Sequence, residues 1–484
     1  MSATGRDTAS RERALLVLVA VGALLSGASV TMLTVALPVV VRDLGATAVT
    51  STWLLLVPFL VTAVLMVPCG RLADARGHRP VFLGGLVVTT VSAPVAALAA
   101  TSSVLLVAGA VQAVGLAMVL CGAGAIVAST FTGRRLGRAM GVYVAGISAS
   151  QVLGPAAGGL IADTLGWRWL YWVQIPVGVA AVAAAAVLVP GPPRGVDGPR
   201  RSLDLPGCLV LAAVVGTCLG ALAGLQELSA AGIVVPVLAG CSLLLLPLLY
   251  LTQRRARDPI LPPVLLRSRA FLLLHAGTMV SMLPRFVSVT AAGLYFQTVL
   301  LDPARTAGLK VLPLPLAITA GSLLADRAAR RYGPAVAGSG AAAAMAAGAL
   351  LLAATADAGL PYGWALAGLT VLGGGAGVHA AVCSTLLIRR TGPGDGGSAN
   401  GLRLTLMTVA EVVLLAGGLA LVTAGLPEPL RAAFYAAALT DPAHRAVLAD
   451  GFTALFVATA VAAVVAGLAV AAARDRTAPE GGDR

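Results

Sequence analysis

The chain alternates between long apolar stretches and short polar joints. Fourteen apolar stretches recur, near 14–40, 52–70, 81–101, 104–131, 139–162, 169–189, 205–224, 231–251, 270–300, 307–325, 335–356, 361–388, 398–424 and 451–473. Each is long enough to cross about 30 Å of hydrocarbon as a helix rising about 1.5 Å per residue. Short segments of alternating polarity, the mark of a membrane β-barrel, do not appear. The pattern predicts an all-α polytopic membrane protein.

The joints carry the arginines. With the amino terminus in the cytoplasm, roughly three-quarters of the 33 basic side chains fall in inside joints. Arg42, Arg168, Arg305, Lys310, Arg431 and Arg445 are left outside. This asymmetry predicts a multi-pass protein of the cytoplasmic (inner) membrane with both termini cytoplasmic. Two joints are longer. Pro190–Ser202 is rich in Gly and Pro, and Gln253–Arg269 is basic with Pro259, Pro262 and Pro263. The expected layout is a six-helix bundle at 1–190, a linker carrying two additional helices at 191–269, a second six-helix bundle at 270–473 and a tail at 474–484. An internal echo supports repeated halves. Leu72-Ala73-Asp74 precedes Gly77 and Pro80, and Leu324-Ala325-Asp326 precedes Gly333 and Pro334.

Composition narrows the function. The chain is 58% hydrophobic and 11% charged, which excludes a soluble domain of this length. A net charge of +13 would suggest nucleic acid in a soluble protein, but charge confined to joints beside spans is a topology signal. Met1–Arg13 is polar and precedes an apolar run too long for a signal-peptide core, so a first spanning helix is expected. The six cysteines lie in apolar stretches without a CxxC pair and read as small core residues. No phosphate loop, nucleophile elbow, HExxH or dinucleotide fingerprint is present, so neither an enzyme nor a cofactor is expected. The work must come from an ion gradient, or transport must run downhill. The expected partners are the lipid bilayer, a small-molecule substrate and protons, with no nucleic acid and a monomeric state.

Two motifs stand out. In Gly70-Arg71-Leu72-Ala73-Asp74-Ala75-Arg76-Gly77-His78-Arg79, Asp74 sits at a helix end among guanidiniums, where a charge-assisted contact latches neighbouring helices. In Gly146-Ile147-Ser148-Ala149-Ser150-Gln151-Val152-Leu153-Gly154-Pro155-Ala156-Ala157-Gly158-Gly159, the glycines permit close helix packing and Pro155 permits a bend. Trp167-Arg168-Trp169-Leu170-Tyr171 and Gln174-Ile175-Pro176-Val177-Gly178 follow. With Ala36-Leu37-Pro38, Trp53, Asp258-Pro259 and Tyr295-Phe296-Gln297-Thr298, the set resembles the major facilitator superfamily, in its fourteen-helix drug/proton antiporter branch. The resemblance implies two six-helix bundles plus two inserted helices. It makes Gly70, Asp74, Arg76, Gly77 and Arg79 a cytoplasmic gating loop, and Gly146, Gly154, Pro155, Gly158 and Gly159 the antiporter motif of the fifth helix. Three positions depart from the branch. Ser29 stands where it carries an aspartate, Gly109 where it carries an arginine three residues before Gln112, and Pro58 where it often carries a tyrosine.

With those charges missing, ionisable groups elsewhere in the spans become the candidates, because such residues are costly in a bilayer. Arg285 and Glu411 lie midway along the ninth and thirteenth spans. Glu411 is a candidate to load a proton, and Arg285 to hold an anionic group or to release Glu411. The competing reading is a structural ion pair. His379 is either a pathway residue or a satisfied hydrogen-bonding side chain. Gln112, Gln151, Gln174 and Gln297 either orient ligands or join helices. The family architecture would put Ser29, Thr31 and Thr34 on the cavity side of the first helix. The expected function is efflux of a small amphipathic molecule, an antibiotic, other drug or secondary metabolite, by proton antiport with alternating access. The alternatives are an uncoupled or dedicated exporter of an anionic metabolite and a transport-dead scaffold or receptor.

Overall fold

A computed structural model of the chain describes residues 3–46, 48–131, 133–189, 204–226, 234–256, 268–390, 396–427 and 442–473. The expected linker at 190–202, the 257–267 part of the basic connector, the 428–441 part of the last joint and the tail at 474–484 lie outside the described residues. So do the side chains of Thr34, Gln151 and Pro155.

Among the described residues, every regular element is a helix. Among the described residues, twelve helices are long and apolar enough to cross a membrane, and the chain is a multi-pass membrane protein. The other two predicted spans are also helices, Gly133–Thr164 of 32 residues and Leu205–Gln226 of 22 residues. Large apolar side chains such as Leu244, Val187 and Leu98 stand 70% or more exposed. In water such surfaces would be a liability, and in a bilayer lipid covers them.

The chain forms two compact units, residues 1–260 with 391–416, and residues 261–390 with 417–484. This partition departs from the consecutive bundles expected from sequence order. The cause is local packing. Thr405 Oγ1 donates to the Ala63 carbonyl at 3.1 Å, and Asn400 Nδ2 donates to the Leu120 carbonyl at 3.2 Å. The start of the helix at Gly396–Thr423 therefore belongs with the first unit.

In the first unit, α1 (Ala3–Leu44) packs along α5 (Gly133–Thr164), and α4 (Ser102–Thr130) packs against both α2 (Ala48–Arg76) and α3 (His78–Ala97). A single turn, α6 (Trp169–Trp172), leads into α7 (Gln174–Leu188). The inserted helices α8 (Leu205–Gln226) and α9 (Val234–Arg255) pair with each other, and α8 also packs on α2. Small residues set these crossings. A Cβ on Gly85 would lie 2.8 Å from the Gly115 carbonyl, so α3 and α4 meet backbone to backbone.

In the second unit, α10 (Arg269–Val280) runs into a π-helical turn at Leu283–Val287 and then α11 (Ser288–Thr298). Next come α12 (Ala304–Val311), α13 (Pro313–Tyr332), α14 (Pro334–Ala358) and α15 (Tyr362–Arg389), with α14 and α15 packed together and α17 (Pro442–Ala472) against α14. The α2–α3 and α13–α14 corners share one backbone conformation. Gly77 has φ 98 and ψ 149, and Gly333 has φ 82 and ψ 149. Only glycine occupies this region at little cost, so the internal echo in the sequence is a repeated corner.

Candidate functional site

The first unit encloses a small cavity lined by one face of each of three helices. Ser29 and Leu33 come from α1, Leu54, Leu55 and Pro58 from α2, and Gly109, Gln112, Ala113 and Leu116 from α4. The spacings of three, four and seven residues are those of a single helix face. Thr89 of α3 and Tyr171 of α6 complete the wall. Ser29, Pro58 and Gly109, the three departures noted from sequence, thus share one cavity with Gln112.

Gln174, the first residue of α7, organises the polar side. Its Nε2 donates to the Leu170 carbonyl at 2.8 Å, which turns Oε1 toward α1 and α4. That oxygen accepts from Ser29 Oγ at 2.8 Å and from Gln112 Nε2 at 3.0 Å. The amide orientations follow from this network. Ser29, Gln112 and Gln174 are all buried. The residue facing Gln112 at the position expected for arginine is a glycine, and a Cβ there would sit 3.8 Å from Pro58 Cγ.

The Trp-Arg-Trp run explains how α6 is held. Asp43, at the end of α1, accepts from Trp167 Nε1 at 2.9 Å and from Arg168 Nη1 at 2.6 Å. Arg168 Nη2 donates to the Ala99 carbonyl at 3.3 Å, and its guanidinium lies 4.4 Å from the Trp167 ring centroid. The Trp167 hydrogen bond first, and the Arg168 hydrogen bond second, hold the Asp43 carboxyl below its ordinary value. This clasp fixes the turn that delivers Tyr171 and Gln174.

Thr31 lies two residues from Ser29, about 200° around the helix. It turns to α5, where Oγ1 donates to the Ser150 carbonyl at 3.1 Å. The antiporter-motif glycines are the matching surface. A Cβ on Gly146 would meet the Ala20 carbonyl at 2.7 Å, one on Gly158 would meet Met32 Cα and its carbonyl at 2.8 Å, and one on Gly154 would run into Thr31. Gly159 lies on the same helix, half-buried.

At the α2 end, Gly70 and Asp74 lie on the helix, Arg76 closes it, and Gly77 makes the corner. Arg79 Nη2 donates to the Ala186 carbonyl of α7 at 2.6 Å. The inserted pair is anchored nearby. Asp204 Oδ1 caps α8 by accepting from Gly207 N at 2.9 Å, and Oδ2 accepts from Gln253 Nε2 of α9 at 2.8 Å.

Arg285 sits in the π turn and is 3% exposed. Pro284 supplies no backbone N–H there, and π turns recur at functional positions. His379 on α15 is buried with both ring nitrogens engaged. Nδ1 contacts the Gly338 carbonyl at 3.0 Å, so it carries the proton, and Nε2 meets Cys383 Sγ at 3.4 Å. That is the geometry of a neutral, satisfied histidine. Glu411 is half-buried on α16 (Gly396–Thr423) and belongs to the first unit, whereas Arg285 belongs to the second. Sequence reading passed over Arg403, which is 4% exposed, donates to Asn400 Oδ1 at 2.9 Å and reaches Met407 Sδ at 3.2 Å. It is the eighth residue of α16 and lies inside the stretch 398–424 that the sequence pattern already marks as a span.

A family model described as Major Facilitator Superfamily matches residues 19–415. The chain belongs to the major facilitator superfamily. Members of this superfamily are membrane transporters and not enzymes. The puromycin resistance protein pur8 of Streptomyces alboniger is 33% identical over 66% of this chain and 64% of its own length. The multidrug transporter MdtP of Bacillus subtilis is 26% identical over 63% of this chain and 56% of its own length. The chain spans about half the length of the curated relatives it matches, from 43% to 64%. Among solved structures, the human organic anion transporter MFSD10 (TETRAN) aligns with a TM-score of 0.64 at 16% identity, covering 93% of this chain and 99% of that one. At that identity the likeness concerns the fold.

Proposed function

We propose that this chain is an efflux transporter of the cytoplasmic membrane. It spans the bilayer fourteen times, with both termini in the cytoplasm, and exports a small amphipathic molecule of the antibiotic or secondary-metabolite kind in exchange for protons. The observation that carries this reading is the likeness to a resistance protein over two-thirds of the chain, joined to a cavity of apolar walls with a few neutral polar groups. In this reading Glu411, half-buried on an apolar helix, takes up the proton, and Arg285 answers an anionic group of the substrate. Gly70, Asp74, Arg76, Gly77 and Arg79 form the cytoplasmic gating loop. Gly146, Gly154, Pro155, Gly158 and Gly159 form a tightly packed seam about which α1 and α5 move together.

Cells making the chain should accumulate less puromycin than cells making none, and the difference should vanish with Glu411→Gln. Equal accumulation with and without the chain counts against export. A second reading drops proton coupling and makes the chain a dedicated exporter of an anionic metabolite. The neutral Ser29–Gln112–Gln174 network, where an antiporter of this branch carries charges, favours it, as does the buried Arg285.

A further inference from the structure

One corner of the second unit holds the chain's only lysine. Of the 33 basic side chains, all but Lys310 are arginine. Lys310 lies in the last turn of α12, and its ammonium sits in a box of one carboxylate and two rings. Nζ donates to Oδ2 of Asp302, in the turn before α12, at 2.6 Å. It also lies over the rings of Phe296 on α11 and Tyr362 at the start of α15, 5.5 Å from each centroid. Those two ring planes cross at 67°. Phe296 belongs to the Tyr295-Phe296-Gln297-Thr298 run noted in the sequence, so the box gives that run a use. Backbone bonds hold the walls. Asp302 N donates to the Phe296 carbonyl at 2.9 Å, and the Tyr362 hydroxyl donates to the Lys310 carbonyl at 2.9 Å. Leu301, beside Asp302, is the only non-glycine at positive φ among the described residues, at φ 57. Leucine holds that conformation only where its surroundings enforce it, and such strain collects at ligand clamps.

We infer that this box is a binding site for an alkylammonium cation, which the chain fills with its own Lys310 and which an outside amine enters by displacing it. A carboxylate set beside two ring faces is the chemistry that recognises an ammonium group. The seat suits a compact ammonium better than a broad planar guanidinium, which is why the one lysine of an arginine-rich set falls here. A neutral occupant would leave Asp302, 17% exposed, without its countercharge, and an anion would be repelled by it. Exchanging one ammonium for another conserves the charge and the contacts. The competitor therefore works only against the effective concentration of the tethered amine, on the order of millimolar for a short flexible tether. The outer placement of the corner rests on the orientation and export reading above. On that reading an exported amine leaves the box when Lys310 returns to it.

Two measurements on the purified full chain in detergent test this. Lys310→Ala deletes a propylamine, which free n-propylammonium replaces. Titrated against the thermal midpoint, n-propylammonium should bind Lys310→Ala about 10-fold or more tighter than wild type. n-Propanol should not bind, and Asp302→Asn added to Lys310→Ala should remove the response. Lys310→Met, whose neutral side chain still fills the box, should not respond. The second measurement uses the wild-type chain. Lys310 is its single side-chain amine, so acylation by an N-hydroxysuccinimide ester, located by peptide mapping, reports when the amine leaves the box. Trimethylammonium, which forms no stable amide, should speed that acylation about 5-fold relative to sodium chloride of equal ionic strength. A response to n-propylammonium that is equal in Lys310→Met and Lys310→Ala, or that survives Asp302→Asn, would overturn the site. So would wild-type acylation unmoved by trimethylammonium, which decides alone if Lys310→Ala does not fold. Neither measurement involves transport. Export without ammonium binding at the box would retire the site alone, and ammonium binding there without export would retire the transport reading alone.

Discussion

The seam between α1 and α5 yields a sharp prediction. A Cβ on Gly158 would sit 2.8 Å from both Met32 Cα and the Met32 carbonyl oxygen. Ordinary van der Waals contact begins roughly 0.6 Å farther out, and the obstructing atoms are main chain, so no rotamer change relieves them. Gly158→Leu must push the two helices apart or bend α1. Overpacking of this kind costs about 1–3 kcal/mol, and the separation also strips contacts along the seam toward Gly146 and Thr31. Gly340 on α14 is the control, because nothing lies within 4 Å of its Cβ position and the residue is exposed. Leucine at either site brings the same gain in helix propensity, about 1 kcal/mol, so the difference between the variants reports packing alone. Thermal unfolding in detergent, followed by the monodisperse peak on size exclusion, should rank Gly340→Leu at or above wild type and Gly158→Leu clearly below both. Equal midpoints for the two variants would refute the close seam.

Other consequences are independent of that seam. Arg285→Ala should abolish export while leaving the amount of protein in the membrane unchanged, as read by puromycin accumulation beside a membrane blot. Gly77→Ala places a side chain at φ 98, ψ 149, and should cost about 1–3 kcal/mol in thermal unfolding, as should Gly333→Ala at the repeated corner. The clasp at Asp43 carries a pH signature. Its carboxyl is held below the ordinary value of 3.8, so its contribution is complete above that value and disappears as pH falls through the lower folded value. The gap in melting temperature between wild type and Asp43→Asn should therefore be constant at neutral pH and close only in strong acid. A gap that closes near neutrality would point to a different partner for Trp167 and Arg168.

Much of the fold was legible because its driving pattern is local. Twenty-residue apolar runs, arginine joints and glycine-rich segments need no knowledge of distant neighbours. The repeated corner could also be read from Gly77 and Gly333 in matching contexts. The packing partition could not. That the helix beginning at Gly396 sits with α2 and α4 depends on Asn400 and Thr405 finding the Leu120 and Ala63 carbonyls, hundreds of residues away. The site was half legible. Ser29, Pro58, Gly109 and Gln112 were singled out one at a time as departures, and only three dimensions place them around one cavity. Gln174 was one of four glutamines read either as ligand-orienting or as helix-joining until the single turn at Trp169–Trp172 brought it between Ser29 and Gln112. Thr31 went to the seam instead of the cavity because two residues of helix turn a side chain more than halfway round.

The central claim is coupling of export to protons. The direct test is puromycin flux into proteoliposomes holding the full chain, with an imposed pH gradient and again after an ionophore collapses it. The account predicts concentrative flux that stops when the gradient is lost and is absent in Glu411→Gln. Flux of equal rate with and without the gradient, or full coupling retained in Glu411→Gln, would contradict it.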